Sequence, residues 1–167
     1  RRLLSFHAVS QVGYMLLGIG TGTVAGAMGA VFHMANHALY KSCLFLGAGT
    51  VERETGTMEL DRLGGLGRTM PVTFGCMLVA ALSISGIPPL NGFASKWLIY
   101  QGCVAAGEPV MLVAALFGSV LTLASFVKVL HSVFWGARPA RHDAVREQGG
   151  IGIPAAMLAL AALCVAL

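Results

Sequence analysis

Apolar stretches long enough to cross a lipid bilayer make up most of this sequence. Residues 3–21, 24–50 and 109–135 each approach or exceed the ~20 apolar residues that a transmembrane helix needs. A further apolar stretch, 151–167, has the character of the start of another such helix. Charged residues are only 11% of the chain, against about 25% in soluble domains. The sequence therefore predicts an all-α, polytopic membrane helix bundle and argues against a soluble domain.

The stretch 71–106 is interrupted at its centre, between apolar halves at 71–85 and 93–106. The interruption reads GIPPLNG, and its helix-breaking residues are Gly86, Pro88, Pro89 and Gly92. Each half is about 21 Å long at 1.5 Å per residue, short of the ~30 Å hydrocarbon core. The stretch is therefore either two short crossings or one crossing by a discontinuous helix. Discontinuous helices often mark ion sites in transporters.

The distribution of arginine favours one broken crossing. All eight arginines lie in three polar segments: Arg1 and Arg2; Arg53, Arg62 and Arg68; Arg138, Arg141 and Arg146. With one broken crossing there are five spans, and all eight fall on the same side of the membrane. The positive-inside rule then places loops 51–70 and 136–149 in the cytoplasm. Although the net charge is +4, no basic stripe alternates with aromatic residues, so nucleic acid is not an expected partner.

Three ionisable residues, His33, His37 and Lys41, follow one another at steps of four in the second span. This spacing puts them on one helix face in a stripe about 12 Å long. A charged lysine at mid-membrane costs at least ~2.5–3.5 kcal/mol, so its presence indicates a function. The alternatives are that Lys41 reaches the interface and that the histidines are neutral, hydrogen-bonded groups in a packed bundle. The alignment of all three favours a proton path.

Lys96 stands four residues after the interruption, so it shares the membrane depth of the break. An ion pair within the bilayer would require an acid, and every Asp and Glu of this sequence lies outside the predicted spans. Lys96 is therefore a second candidate proton carrier, unless an acid from outside this chain pairs with it.

Two further polar groups are secondary candidates for the path. His7, Ser10, Gln11 and Tyr14 recur at helical spacing in the first span, where they line water or form hydrogen bonds between helices. Lys128 and His131 lie near the end of the fourth complete span, where a lysine often reaches the interface instead.

A metal or haem is the alternative interpretation of the two histidines. Zinc requires further ligands nearby, and two histidines on one helix do not bind one haem iron from opposite sides. The four cysteines are scattered singly, without a CxxC pair: Cys43, Cys76, Cys103 and Cys164. We therefore expect no metal and no cofactor, and a haem-binding electron-transfer protein is the less favoured alternative.

Four segments resemble a known protein family: RRLLSFHAVSQVGYMLLG, FHMANHALYKSCLFLGAG, TGTMELDRLGGLGRTMP and SISGIPPLNGFASKWLIYQG. They are similar to the antiporter-like subunits of respiratory complex I, Mrp cation/proton antiporters and membrane-bound energy-converting hydrogenases, and most similar to Mrp D-type and hydrogenase members. The family implies a fold of about fourteen helices with two inverted repeats. Residues 1–136 would be most of the second repeat, 137–150 a cytoplasmic loop and 151–167 the start of the next helix, within a longer protein.

The resemblance also implies roles and partners. Lys41 matches the family's central lysine, Lys96 its terminal ionisable residue, and His33 and His37 its bridging histidines. The implied function is proton translocation in a redox-driven complex whose redox chemistry belongs to other subunits, with a Mrp-type Na⁺/H⁺ antiporter as the alternative. The implied partners are other antiporter-like and small membrane subunits, the lipid bilayer of the inner (cytoplasmic) membrane, and H⁺ or Na⁺.

Overall fold

The computed structural model describes residues 2–137, 145, 147, 150 and 152–167, and every regular element in those ranges is helical. The six α-helices are α1 (Arg2–Gly20), α2 (Val24–Thr55), α3 (Pro71–Ser85), α4 (Asn91–Ala105), α5 (Pro109–Leu130) and α6 (Gly152–Ala166). Two short 3₁₀ turns, Leu60–Arg62 and Leu66–Arg68, lie between α2 and α3. A π-helical turn, His131–Trp135, extends α5. The predicted all-α bundle is confirmed.

Local chemistry explains where α2 begins and ends. The Thr23 hydroxyl accepts a hydrogen bond from Gly26 N, which caps the first turn. The helix ends at Gly56, whose φ of 69° is the left-handed conformation that glycine adopts without strain. The helix therefore continues to Thr55, five residues beyond the predicted end at residue 50, because its last turn lies outside the apolar run.

Helices α3 and α4 follow one another along the length of α2, in the opposite direction. The contacts occur in this order: Gly47 with Met77, Asn36 with Asn91, Gly29 with Ile99, and Gly26 with Gly102. The two half-helices therefore form a single interrupted path beside α2, which is the discontinuous helix that the sequence predicts. Its second half begins at Asn91, two residues before the predicted start.

The polar segments meet at one end of the bundle. Gly67 packs against the backbone of Phe134, and the Glu147 carboxylate accepts hydrogen bonds from Thr73 N at 2.9 Å and the Thr73 hydroxyl at 2.5 Å. Leu4 of α1 lines a cavity with Val51 at the same end. Loop 51–70 and the described part of 136–150 therefore share one face, whereas Arg138, Arg141 and Arg146 lie outside the described residues.

The outer surface of the bundle is apolar. Large exposed side chains include Phe6, Val9, Leu16, Phe117 and Val120, each more than 60% exposed. Among the described helices, two stretches are long and apolar enough to cross a bilayer alone, Leu3–Gly20 and Pro109–Trp135. Helices α3 and α6 are shorter apolar helices, and α2 is long but carries the polar stripe.

Candidate functional site

The break between α3 and α4 leaves a backbone carbonyl without its helical partner. The α3 helix closes with Gly86, whose φ of 81° allows Gly86 N to bond Ser83 O and Ile87 N to bond Leu82 O. The next helical donor would come from Pro88, which has no N–H. The carbonyl of Ile84 is therefore free to accept a hydrogen bond from another group.

Lys96 supplies that hydrogen bond. Its side chain is 1% exposed, and Nζ donates to Ile84 O at 2.9 Å and to the Ser119 hydroxyl at 3.1 Å. The ammonium also lies 4.6 Å from the centre of the Tyr14 ring. A cation at the carboxyl end of α3 and over an aromatic face is in a favourable electrostatic position.

Ser119 of α5 is the hub of a hydroxyl cluster around Lys96. Its oxygen lies 2.9 Å from the Tyr14 hydroxyl and 2.6 Å from the Tyr100 hydroxyl. Tyr14 in turn donates to Ala115 O at 2.5 Å. The cluster joins α1, α4 and α5 around one ammonium group. The sequence analysis missed Ser119 and Tyr100 because single polar residues in apolar helices carry no distinctive pattern.

His33 lies at the centre of the bundle and is fully buried. Its Nδ1 is 2.8 Å from the Ser95 hydroxyl, and its Nε2 is 3.0 Å from Gln11 Oε1. The Tyr40 hydroxyl is a longer neighbour of Nε2, at 3.4 Å. The centre of the His33 ring is 5.8 Å from that of Tyr14, which also contacts Lys96. The Tyr14 ring therefore connects the surroundings of His33 and Lys96.

His37 and Lys41 continue the series towards the polar end of the bundle. The Lys41 side chain is 6% exposed, donates to Leu4 O and lies 5.7 Å from the centre of the Phe45 ring. His37 packs edge-on against Tyr40 and interacts electrostatically with Lys41. Its Nε2 is buried and has no hydrogen-bond partner among the described residues. An unpartnered polar atom at this depth fits a site for bridging water.

An asparagine pair anchors the break to α2. Asn91 Nδ2 donates to Asn36 Oδ1 at 2.9 Å, and Asn36 Nδ2 donates to Asn91 O at 3.0 Å. The Ser83 hydroxyl, from the other side of the break, donates to Asn91 Oδ1 at 2.5 Å. These bonds satisfy polar groups that the interruption would otherwise leave unpaired in an apolar interior.

The structure joins some of the secondary candidates to this cluster and not others. Gln11 and Tyr14 contact His33 and Lys96 respectively, as described above. His7 is half-buried against Phe126 and lies within electrostatic range of both Lys41 and Lys96. Three others lie apart: Ser10 is exposed and bonds its own helix, and Lys128 and His131 are exposed at the far end of α5 and its π turn.

The interior of the described bundle carries two lysines and no buried carboxylate. Neither ammonium forms an ion pair within the described residues, and the recorded ion pairs there lie at the surface. No group of three His, Cys, Asp or Glu side chains in that part of the chain is placed to hold a metal. Both ring nitrogens of His33 have partners, so haem ligation would break one of those bonds. The arrangement suits proton transfer between bases.

Comparison with known proteins identifies the family. A family model described as "NADH:quinone oxidoreductase/Mrp antiporter, TM" matches residues 1–122. The chain belongs to this family. The antiporter-family chain is 40% identical to a Na⁺/H⁺ antiporter protein of Alkalihalophilus pseudofirmus, over 81% of this chain and 28% of that protein. It is 37% identical to hydrogenase-4 component B of Escherichia coli, over 99% of this chain and 28% of that protein.

Solved structures share the fold of the antiporter-family chain. It superposes on the membrane-bound sulfane sulfur reductase, an archaeal respiratory membrane complex, with a TM-score of 0.93 at 37% identity, covering 99% of this chain and 27% of that one. For respiratory complex I from Thermus thermophilus the TM-score is 0.87 at 30% identity, covering 98% and 35%. The chain thus spans about a third or less of these proteins' lengths. Its fold is that of antiporter-like integral membrane subunits, as the sequence motifs predicted.

Proposed function

We propose that this chain is the second antiporter-like repeat of a subunit that translocates protons in a redox-driven complex, of the complex I or energy-converting hydrogenase type. The observation that carries the proposal is the series of buried bases beside the helix break: Lys41, His37, His33 and Lys96. Such groups are costly in an apolar interior, and proton transport is the use that accounts for them best. The chain itself would be a non-redox subunit of the translocase, with electron transfer performed by other subunits.

Each base has a distinct role in the proposed path. Burial disfavours the charged form of an amine, so a buried lysine can alternate between ammonium and neutral amine. Lys41 holds a proton midway, the two histidines relay it, and Lys96 passes it to one side of the membrane. Water at the unpartnered Nε2 of His37 would complete the connection between Lys41 and His33. The transfer is driven by charge changes in an adjacent repeat or in a neighbouring protein of the complex.

The setting of this path follows from the same proposal. The subunit lies in the inner membrane beside other antiporter-like and small membrane subunits, and loops 51–70 and 136–149 face the cytoplasm. The arginines of loop 51–70 and the shared end of the two loops support this orientation.

The test is a set of lysine substitutions in the full-length protein within its complex, reconstituted into vesicles. Lys41→Ala removes a carrier, and Lys96→Arg keeps the charge but cannot release a proton. Both are expected to reduce proton uptake, followed with a pH-sensitive dye, by at least about a hundredfold while assembly is retained. Lys128→Ala, an exposed lysine outside the cluster, is the matched control and should transport normally. Normal uptake by assembled Lys41→Ala would eliminate the proposed role.

A Mrp-type Na⁺/H⁺ antiporter is the second candidate function, favoured by the 40% identity to the Na⁺/H⁺ antiporter protein of Alkalihalophilus pseudofirmus. An antiporter needs no electron donor, because the sodium gradient drives proton movement. Vesicles holding the complex separate the two: proton movement on adding Na⁺ alone supports the antiporter, and movement only on adding an electron donor supports the redox-driven complex. The neighbouring genes give an independent answer through the presence of hydrogenase or dehydrogenase subunits.

A further inference from the structure

The Ser95 hydroxyl lies between two hydrogen-bond acceptors. Ser95 is fully buried in α4, one residue before Lys96. Its oxygen is 2.8 Å from His33 Nδ1 and 3.2 Å from the carbonyl oxygen of Gly92. A hydroxyl has one proton to donate but can also accept, so it donates to only one of these groups at a time.

The other ring nitrogen of His33 has a fixed role. Nε2 faces Gln11 Oε1 at 3.0 Å, and an amide oxygen can only accept a hydrogen bond. Nε2 therefore carries a hydrogen in this arrangement. The atom of the ring that gains or loses a proton is then Nδ1, the nitrogen that faces Ser95.

Both protonation states of His33 are satisfied by a turn of the Ser95 hydroxyl. In the neutral ring, Ser95 O–H donates to the lone pair of Nδ1. In the protonated ring, Nδ1–H donates to the Ser95 oxygen, and the hydroxyl hydrogen turns to Gly92 O. Neither state leaves a buried donor or acceptor unpaired, which is the arrangement that would otherwise be costly.

We propose that Ser95 is a positioning residue whose turning hydroxyl lets His33 take up and release a proton at Nδ1. The proposal rests on the relay role of His33 under the proposed function. In the step, an N–H bond breaks at the neighbouring carrier and one forms at Nδ1. The carrier loses one positive charge, the ring gains one, and Ser95 keeps its own proton. The titratable groups that face His33 are Tyr14 from α1, His37 and Tyr40 from α2, and Lys96 from α4.

The experiment compares serine variants in the full-length protein within its complex. Ser95→Ala removes the hydroxyl, and Ser95→Thr retains one. Ser85→Ala is the matched control, because Ser85 is also buried but bonds only Ala81 O of its own helix. Proteoliposomes carry an imposed potassium diffusion potential, so that proton uptake is measured without an electron donor and across a range of pH.

Ser95→Ala is expected to slow proton uptake by at least about tenfold. Its pH profile should also move towards acid by about one pH unit, because the protonated ring has lost its acceptor. Ser95→Thr should restore both properties, and Ser85→Ala should match the wild type. A role in packing alone would lower the thermal stability of the complex without moving the pH profile.

Two results would overturn the proposal. One is an assembled Ser95→Ala variant with the wild-type rate and pH profile, while Lys96→Arg is inactive; the proposed function would then stand and only the role of Ser95 would fall. If Lys96→Arg also transports normally, the proposed function itself fails. The other comes from nitrogen-15 NMR of labelled histidine in the wild-type complex, with His33→Gln for assignment. Neutral His33 is expected to carry its hydrogen on Nε2, and a hydrogen on Nδ1 contradicts the proposal even if Ser95→Ala does not assemble.

Discussion

Lys96 is held by backbone and hydroxyl oxygens, and this choice of partners bears on its proposed role. Its Nζ contacts are Ile84 O, Ser119 Oγ and the face of Tyr14. A carboxylate partner would be left as an unpaired buried anion whenever the lysine became neutral, which is strongly unfavourable. Neutral oxygens carry no such penalty, so this environment permits both charge states of the amine.

Ser119 is expected to matter because it is the one side-chain acceptor recorded for the Lys96 ammonium in the described chain. Ser119→Ala removes that acceptor and also separates the Tyr14 and Tyr100 hydroxyls. Since hydrogen bonds to charged groups are worth ~1.5–3 kcal/mol, proton uptake should fall by about tenfold or more. Ser125→Ala is the control on the same helix, because Ser125 bonds only Leu121 O. Equal rates for the two variants, measured with the pH dye, would contradict the importance of the hydroxyl cluster.

At the scale of the helices, the break is a built feature with several independent supports. Gly86 turns the chain out of α3, the asparagine pair ties α4 to α2, and Gly92 lies so close to Ser83 O that a side chain there has no room. Because each support satisfies or accommodates backbone at membrane depth, the break brings the carboxyl end of α3 to Lys96 without leaving unpaired groups there.

Substitution of Gly86 tests this construction. In Gly86→Ala the new Cβ adopts a φ of 81° and meets Lys96 Cδ at 3.0 Å. The left-handed conformation alone costs ~1–2 kcal/mol for an L-residue, so thermal stability of the purified complex should decrease. Proton uptake should also decrease, because the contact displaces Lys96.

The matched control is Gly75→Ala in the interior of α3, where a Cβ meets nothing within 4 Å. Alanine in a helix is favoured over glycine by roughly 0.5–1 kcal/mol, so this variant should be as stable as the wild type or more so. A Gly86→Ala complex as stable and active as Gly75→Ala would show that the left-handed turn is dispensable.

At the scale of the whole molecule, both ends of the bundle carry exposed glutamates suited to a topology test. Glu59 lies in loop 51–70, and Glu108 lies between α4 and α5 at the opposite end. We expect a membrane-impermeant maleimide to label Glu59→Cys from the cytoplasmic side and Glu108→Cys from the other side. Inverted vesicles and spheroplasts provide the two accessible faces.

The native protein is the background control for this labelling, because its four cysteines are all buried. Labelling of both new cysteines from one side would mean that α3 and α4 make two crossings or none. The reverse pattern would keep the single broken crossing but invert the proposed orientation in the membrane.

Local chemistry allowed the sequence alone to determine the class of fold and most of its elements. Hydropathy indicated the membrane-spanning helices, and GIPPLNG located the break because proline and glycine act on their own backbone. The four-residue spacing put His33, His37 and Lys41 on one face of α2 because helical periodicity is also local. The family motifs were recognised in the same way, and the family is confirmed. The roles of these residues stay predictions.

Only the tertiary structure decided which groups surround those bases. Ser95 is 62 positions from His33, Ser119 is 23 from Lys96, and Leu4 is 37 from Lys41. A hydroxyl or a backbone carbonyl in an apolar helix has no sequence pattern that reveals its partner. Its environment arises only when the helices pack, and burial then requires each polar group to find a hydrogen bond across the interface. The sequence therefore determined where the ionisable groups lie along their helices, and packing decided which donors and acceptors they meet.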